Sequence, residues 1–166
     1  MKYNIQLVGV GGQGVLLAST VLGNAAVAEG LEVAMSEVHG MAQRGGSVQS
    51  TVRLGHEIYS PLIPKGGADL LLGFEPAETL RNITSVNKDS YIITNTSPIV
   101  PISVSIGQGV YPPLEEILDA LRSVNDHVVA IDATTKAIEA GEAVPAKAKN
   151  VNVRAFELGY LAVRNE

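Results

Sequence analysis

Cysteine and tryptophan are absent from the 166 residues, aromatic side chains make up 4% of them, and charged ones only 17%. Without cysteine the chain has no disulfide, no thiolate nucleophile and no thiolate to ligate zinc or an iron–sulfur cluster. With so few aromatics the core must be built from Val, Ile, Leu and Ala, the palette of buried parallel strands covered by helices. Scarce charge leaves little to coat a surface, which implies that some apolar area is covered by another chain. The net charge of −5 excludes the basic face that a nucleic-acid partner requires. No apolar run is long enough to span a bilayer, so no membrane partner is expected. The N-terminus enters "MKYNIQLVGV" without a signal-peptide layout, and the expectation is a soluble, cytoplasmic protein.

What is present is a run of strand and helix signals that fits one domain over residues 1–166. "YNIQLV" (3–8) reads as a buried strand, residues 13–29 as a helix stopped by Gly30, and "LEVAMSEV" (31–38) as a second strand. Together these predict a βαβ start with a right-handed parallel crossover. "SVQSTVRLG" (47–55) alternates as a strand, and "HEIYSPLIP" reads as a short return strand or turn region. "ADLLLGF" (68–74) is a continuous apolar strand, Pro76 opens a helix over about 76–85, and "SYIITNT" (90–96) is a further strand. The two prolines and alternating Ile102, Val104 and Ile106 of "SPIVPISVSIGQG" suggest an edge strand or extended loop. Leu114, Ile117, Leu118 and Leu121 make a helical stripe, "HVVAID" is a strand, and Asp132 is placed to cap "ATTKAIEA". Val153, Phe156, Tyr160 and Val163 fit a terminal helix. The alternation predicts an α/β fold: a three-layer, Rossmann-like open sheet, mostly parallel, with helices on both faces.

Two loops carry the functional signals. Gly9, Gly11, Gly12 and Gly14, with Gln13 among them, follow a strand and open a helix in the Gly-x-Gly-x-x-Gly pattern. Such glycines permit a tight turn and close backbone approach to a phosphate at a helix N-terminus. They equally permit a tight strand-to-helix turn with no ligand, and the pattern does not separate the two. Glu37 lies near the position where a dinucleotide fold places its ribose-binding acid. The second loop, "SEVHGMAQRGGSV" (36–48), concentrates Ser36, Glu37, His39, Gln43 and Arg44 beside Gly45 and Gly46. Arg44 with two glycines suits a phosphate or carboxylate, and suits a tight connection as well. Glu37 and His39 share a face if the strand reaches that far. His56 and His127 are remote in sequence, so no metal site is expected. No set of acids, and no Ser/His/Asp arrangement, nominates a catalytic residue in this chain.

The segments "GVGGQGVLLAS" (9–19), "SEVHGMAQRGGSV" (36–48), "YSPLIP" (59–64), "GFEPAETLR" (73–81) and "DAT" (132–134) occur in an order that resembles the small, gamma-type subunits of the 2-oxoacid:ferredoxin oxidoreductases. "HGMAQRGGSV…YSPLIP" is most like the beta subunits of the indolepyruvate branch. The resemblance covers essentially the whole chain. It implies a subunit of an oxidoreductase that decarboxylates 2-oxoacids, passes electrons to ferredoxin and delivers the acyl group to coenzyme A. It further implies a large partner carrying thiamine diphosphate and the iron–sulfur (4Fe-4S) clusters, with no cofactor held by this chain alone and a homodimer as one form of the isolated chain. The loop Ser36 to Ser47 is then the surface that faces the active site or partner, with the turn Gly9 to Gly14 beside it at the carboxyl edge of the sheet. The chain also looks shorter at its C-terminus than expected of such a subunit, leaving apolar surface for a partner or second copy.

Overall fold

A computed structural model describes residues 2–40 and 45–136. Six strands form one sheet in the order β2-β3-β1-β4-β5-β6. They are β1 (Lys2–Val10), β2 (Glu32–His39), β3 (Ser47–Gly55), β4 (Ala68–Gly73), β5 (Val86–Asn95) and β6 (Val128–Ile131). β1, β4, β5 and β6 pair in parallel, while β3 runs antiparallel to both β1 and β2. The sheet is therefore mostly parallel, with one reversed strand. The helices are α1 (Val15–Ala28), α2 (Pro76–Arg81), α3 (Ile102–Ser105) and α4 (Leu114–Arg122).

The predicted βαβ start is modified by that reversed strand. β2 does run parallel to β1, but β3 lies between them, pairing Val10 with Ser47 and His39 with Val48. Residues 40–46 are too few for a crossover, so the chain leaving β2 must return antiparallel.

Alternation along β1 divides the core. Ile5 and Leu7 pack with Val15, Val48 and Val52 beneath α1, while Val8 packs with Leu71, Ile92, Ile117, Leu118 and Leu121 beneath α4. Helices thus cover both faces, as the apolar runs imply.

α1 ends in a Schellman arrangement, in which Leu31 N–H donates to Ala26 O and Gly30 N–H to Val27 O, with Gly30 at φ 78°. Pro76 occupies the first turn of α2, and the preceding Glu75 caps it by accepting from Glu78 N–H. The helix expected to run to residue 85 ends at Asn82 and continues as a 3-10 turn, Ile83–Ser85. Glu115 and Glu116 in the first turn of α4 and Arg122 in its last suit the helix dipole.

The segment after β5 is not an edge strand. Pro101, at φ −61° and ψ 150°, opens the one-turn helix α3, and β6 takes the sheet edge instead. Residues 56–64 form turns and no return strand. Asp132 caps as expected, its Oδ1 accepting from Thr135 N–H at 3.0 Å. The continuation of that helix and the terminal helix lie outside the described residues.

β4 ends at Gly73 because a side chain there would overlap the Thr79 hydroxyl. Thr79 is fully buried and hydrogen-bonds Glu75 O and Thr94 Oγ1. Gly73→Ala is expected to cost about 2 kcal/mol by overpacking. In urea unfolding, Gly73→Ala/Thr79→Ala should cost less than the sum of the single changes, since the two sites share one space.

Candidate functional site

The carboxyl ends of β1 and β4, with the start of the antiparallel β3, meet at one edge, where both glycine loops lie. Leaving Val10, the chain passes Gly12 at φ 103° and Gly14 at φ 83°, left-handed conformations that disfavour any side chain. Gly9 serves close approach instead. A Cβ there would sit 2.8 Å from Gln13 Oε1 and 2.9 Å from Phe74 Cβ.

Gln13 is the clasp of this turn. Its Oε1 accepts from Val10 N–H at 2.8 Å, and its Nε2 donates to Phe74 O at 2.8 Å. Both ends of the amide are thereby engaged within the protein.

The second loop joins the first through backbone. Gly11 N–H donates to Gly46 O at 2.8 Å, and Gly45 N–H to Gly11 O at 3.4 Å. These bonds carry the β1–β3 ladder beyond Val10 and Ser47. Gly45 is left-handed at φ 77°.

A cleft of about 450 Å³ opens here, lined by Gly11, Gly12, Gly14, Leu16, His39 and Val48 together with Val10 and Val15. α1 begins at its wall with Gly14 as the cap residue, no side-chain cap and no acidic residue in the first turn. The first-turn N–H groups and the positive end of the helix dipole face it without competition from a carboxylate. His39 Nδ1 lies 3.1 Å from Gly40 O, an acceptor, so Nδ1 carries the proton and Nε2 is the open nitrogen of the neutral ring.

Of the residues singled out from sequence, Gly11, Gly12, Gly14 and His39 converge on this cleft, with Gly45 and Gly46 bonded to its floor. Glu37 is exposed and two positions from His39 on the α1 side of β2. Ser36 points to the opposite face, where its hydroxyl bonds Thr51 Oγ1 at 2.8 Å, and Thr51 in turn donates to Pro61 O. Gln43 and Arg44 lie outside the described residues. "YSPLIP" runs over that opposite face of β3, where Arg53 donates to Ser60 O and Leu62 O.

Sequence reasoning missed two buried acids beneath the edge. Glu75, 1% exposed, accepts from Glu78 N–H, Ile99 N–H and the Tyr111 hydroxyl. Glu78 accepts from Ser47 Oγ at 2.7 Å and pairs with Arg81 Nε at 3.4 Å. Burial, followed by the bond to Glu75, holds the Tyr111 phenol neutral well above its ordinary range. The available signal was the acid directly before Pro76, a helix-capping position. Asn95, also missed, donates to Phe74 O and Thr134 Oγ1 and accepts from Ala133 N–H, binding "DAT" to the same edge. Among the described residues no three His, Asp or Glu side chains are grouped to hold a metal ion.

The sequence profile of the pyruvate ferredoxin/flavodoxin oxidoreductase family matches residues 4–162. The chain belongs to that family, as a subunit of a ferredoxin-dependent 2-oxoacid oxidoreductase. It is 45% identical to the indolepyruvate oxidoreductase subunit IorB of Archaeoglobus fulgidus, over 98% of this chain and 79% of that one. It is 40% identical to the subunit of the same name from Pyrococcus horikoshii, over 98% and 96% of the two chains. Among solved structures, the pyruvate oxidoreductase subunit PORC of Thermotoga maritima superposes with a TM-score of 0.60 at 19% identity, over 85% of this chain and 67% of that one. The 2-oxoglutarate:ferredoxin oxidoreductase of Magnetococcus marinus does so with a TM-score of 0.57 at 18% identity, over 84% of this chain but 21% of the other. These two likenesses concern the fold.

Gln13→Ala removes two hydrogen bonds between the glycine turn and its neighbours and should cost about 1–3 kcal/mol. Hydrogen exchange should accelerate first at Val10 to Val15, while the α4 side of the core stays protected.

Tyr111 sets a pH dependence. Its phenol is held neutral more strongly folded than unfolded, so its contribution is intact below the ordinary value of 10.0 and is lost as the pH rises above it. Tyr111→Phe should flatten the alkaline decline in thermal melts between pH 9 and 11, as checked against the parent chain.

Proposed function

We propose that this chain, read as a single gamma-type domain over residues 1–166, is the small subunit of an indolepyruvate ferredoxin oxidoreductase. The enzyme converts an arylpyruvate and coenzyme A to acyl-coenzyme A and carbon dioxide, and two ferredoxins each take one electron. The observation that carries the reading is the level of identity to two IorB subunits over nearly the full chain, with both glycine loops brought to one cleft.

The large partner subunit holds the cofactors. A chain with no cysteine cannot supply thiolates to an iron–sulfur cluster, and its described acids and histidines form no metal-binding group. Thiamine diphosphate supplies the nucleophilic carbon when the partner binds it, and the clusters supply the one-electron path to ferredoxin.

This chain contributes a surface. Gly11, Gly12 and Gly14 bring backbone N–H groups and the α1 dipole to the cleft, where they favour an anionic group. His39 Nε2 borders the same space, with Glu37 beside it. Gln13, Ser36, Gly45 and Gly46 hold the two loops in register. No helix among the described residues is long and apolar enough to cross a membrane.

The test is anaerobic reconstitution with the large subunit from the same organism, followed by coenzyme A-dependent dye reduction. The isolated chain should be inactive and the pair active on indolepyruvate. Its kcat/KM for indolepyruvate should exceed that for pyruvate or 2-oxoglutarate by at least about tenfold. A preference for pyruvate or 2-oxoglutarate would move the chain to another branch of the family. Saturable binding of NAD or ATP by the isolated chain, without activity in the pair, would replace the subunit reading with a nucleotide-binding module.

A further inference from the structure

α1 is a surface helix without a polar face. No charged residue occurs from Tyr3 to Ala28, and the sequence of α1, "VLLASTVLGNAAVA", is apolar or uncharged on every side. Within this chain only one stripe is buried, formed by Val15, Ser19, Gly23 and Ala26. On the outside, Leu17 is 56% exposed, Val21 50% and Val27 61%. Leu17, Val21, Asn24 and Ala28 fall at i, i+4, i+7 and i+11, all exposed, in the spacing of a helix-packing seam. A helix apolar all round is ordinarily buried all round.

The charges bordering this face say what kind of surface covers it. No lysine or arginine occurs between Lys2 and Arg44, and the acids in that interval are Glu29, Glu32 and Glu37. Glu32 turns away, accepting from Ile58 N–H. Glu29 stands at the C-terminal end of α1, the negative end of its dipole, with no basic residue in the last turn and no ion pair among the described residues. Glu37 is exposed on the α1 side of β2.

We propose that the outer face of α1 is the docking surface for the large subunit of the oxidoreductase, which meets it with an apolar centre and a basic group beside Glu29 and Glu37. The inference rests on the subunit reading. A second copy of the chain is disfavoured because a twofold contact would set acidic rim against acidic rim on molecules of net charge −5. Leu16 belongs both to α1 and to the wall of the glycine cleft, so docking here carries the partner to the mouth of that cleft.

The experiment measures assembly with the co-produced, cofactor-loaded large subunit by sedimentation and by surface-bound kinetics. Leu17→Glu/Val21→Glu should weaken the complex by roughly 100-fold or more. The melting temperature of the isolated chain should stay near that of the parent, because both positions are solvent-exposed there. Leu17→Ser/Val21→Ser gives the same comparison where the paired charges hinder folding. Glu29→Lys should slow association by roughly tenfold at low salt, an effect that fades as salt is added. A charged double variant that assembles as well as the parent overturns the docking surface alone. A parent chain that instead pairs with itself through this face makes the occupant a second copy and overturns it too. Failure of the parent chain to bind the large subunit overturns this inference and the subunit reading together.

Discussion

The carbonyl of Phe74 is the point on which the carboxyl edge depends. It accepts from Gln13 Nε2 in the glycine turn and from Asn95 Nδ2 at the end of β5, while Phe74 N–H donates to Val8 O. One residue past β4 therefore fixes the turns that leave the strands on either side of it. Asn95 extends the tie to Ala133 and Thr134, and Gln13 extends it to Val10. Backbone carbonyls have two lone pairs, and using both here leaves no loose joint between β1, β4 and β5. The demand for glycine at Gly9 and Gly73 follows, because elements drawn this close leave no room for Cβ atoms.

Two buried carboxylates beneath a cleft invite an acid–base reading, and their partners decide against it. Glu75 accepts three hydrogen bonds, from two backbone N–H groups and a phenol. These bonds root the uncharged excursion between β5 and α4 at both of its ends. Glu78 receives Ser47 at the start of β3 and Arg81 from its own helix. A buried charge is tolerable when so engaged, and so engaged it is not free to move protons for a substrate. The chain thus uses its interior acids to set loops in place, in keeping with chemistry performed on another subunit.

Much of this was legible in the sequence because the signals were local. The apolar run of β4, the stripe of α4 and the Asp132 cap each need only a short window to be read. The glycine turn was legible as a turn, and the structure adds that two of its glycines are left-handed while Gly9 answers to crowding. Strand order was not legible, since the insertion of β3 between β1 and β2 depends on a pairing partner far along the chain. The alternation of Ile102, Val104 and Ile106 misled for a related reason. Period-two patterning means strand only where a neighbouring strand is available, and β6 already occupied that edge. Gln13 was read as a ligand contact because a polar side chain among glycines gives no hint that its amide turns inward.

The reversed strand also explains why a dinucleotide-type glycine pattern need not mark a dinucleotide site. In the dinucleotide fold the ribose-binding acid ends the strand directly beside the glycine turn. Here β3 holds that position, and β2 with Glu37 lies two strands from β1, roughly 10 Å away. What β3 brings instead is its own beginning. An antiparallel neighbour starts where β1 ends, so the loop leading into it pairs with the glycine turn through Gly11, Gly45 and Gly46. A single phosphate-binding turn thereby becomes a two-loop wall, shaped less for a nucleotide bound along the strand ends than for a surface presented to another chain.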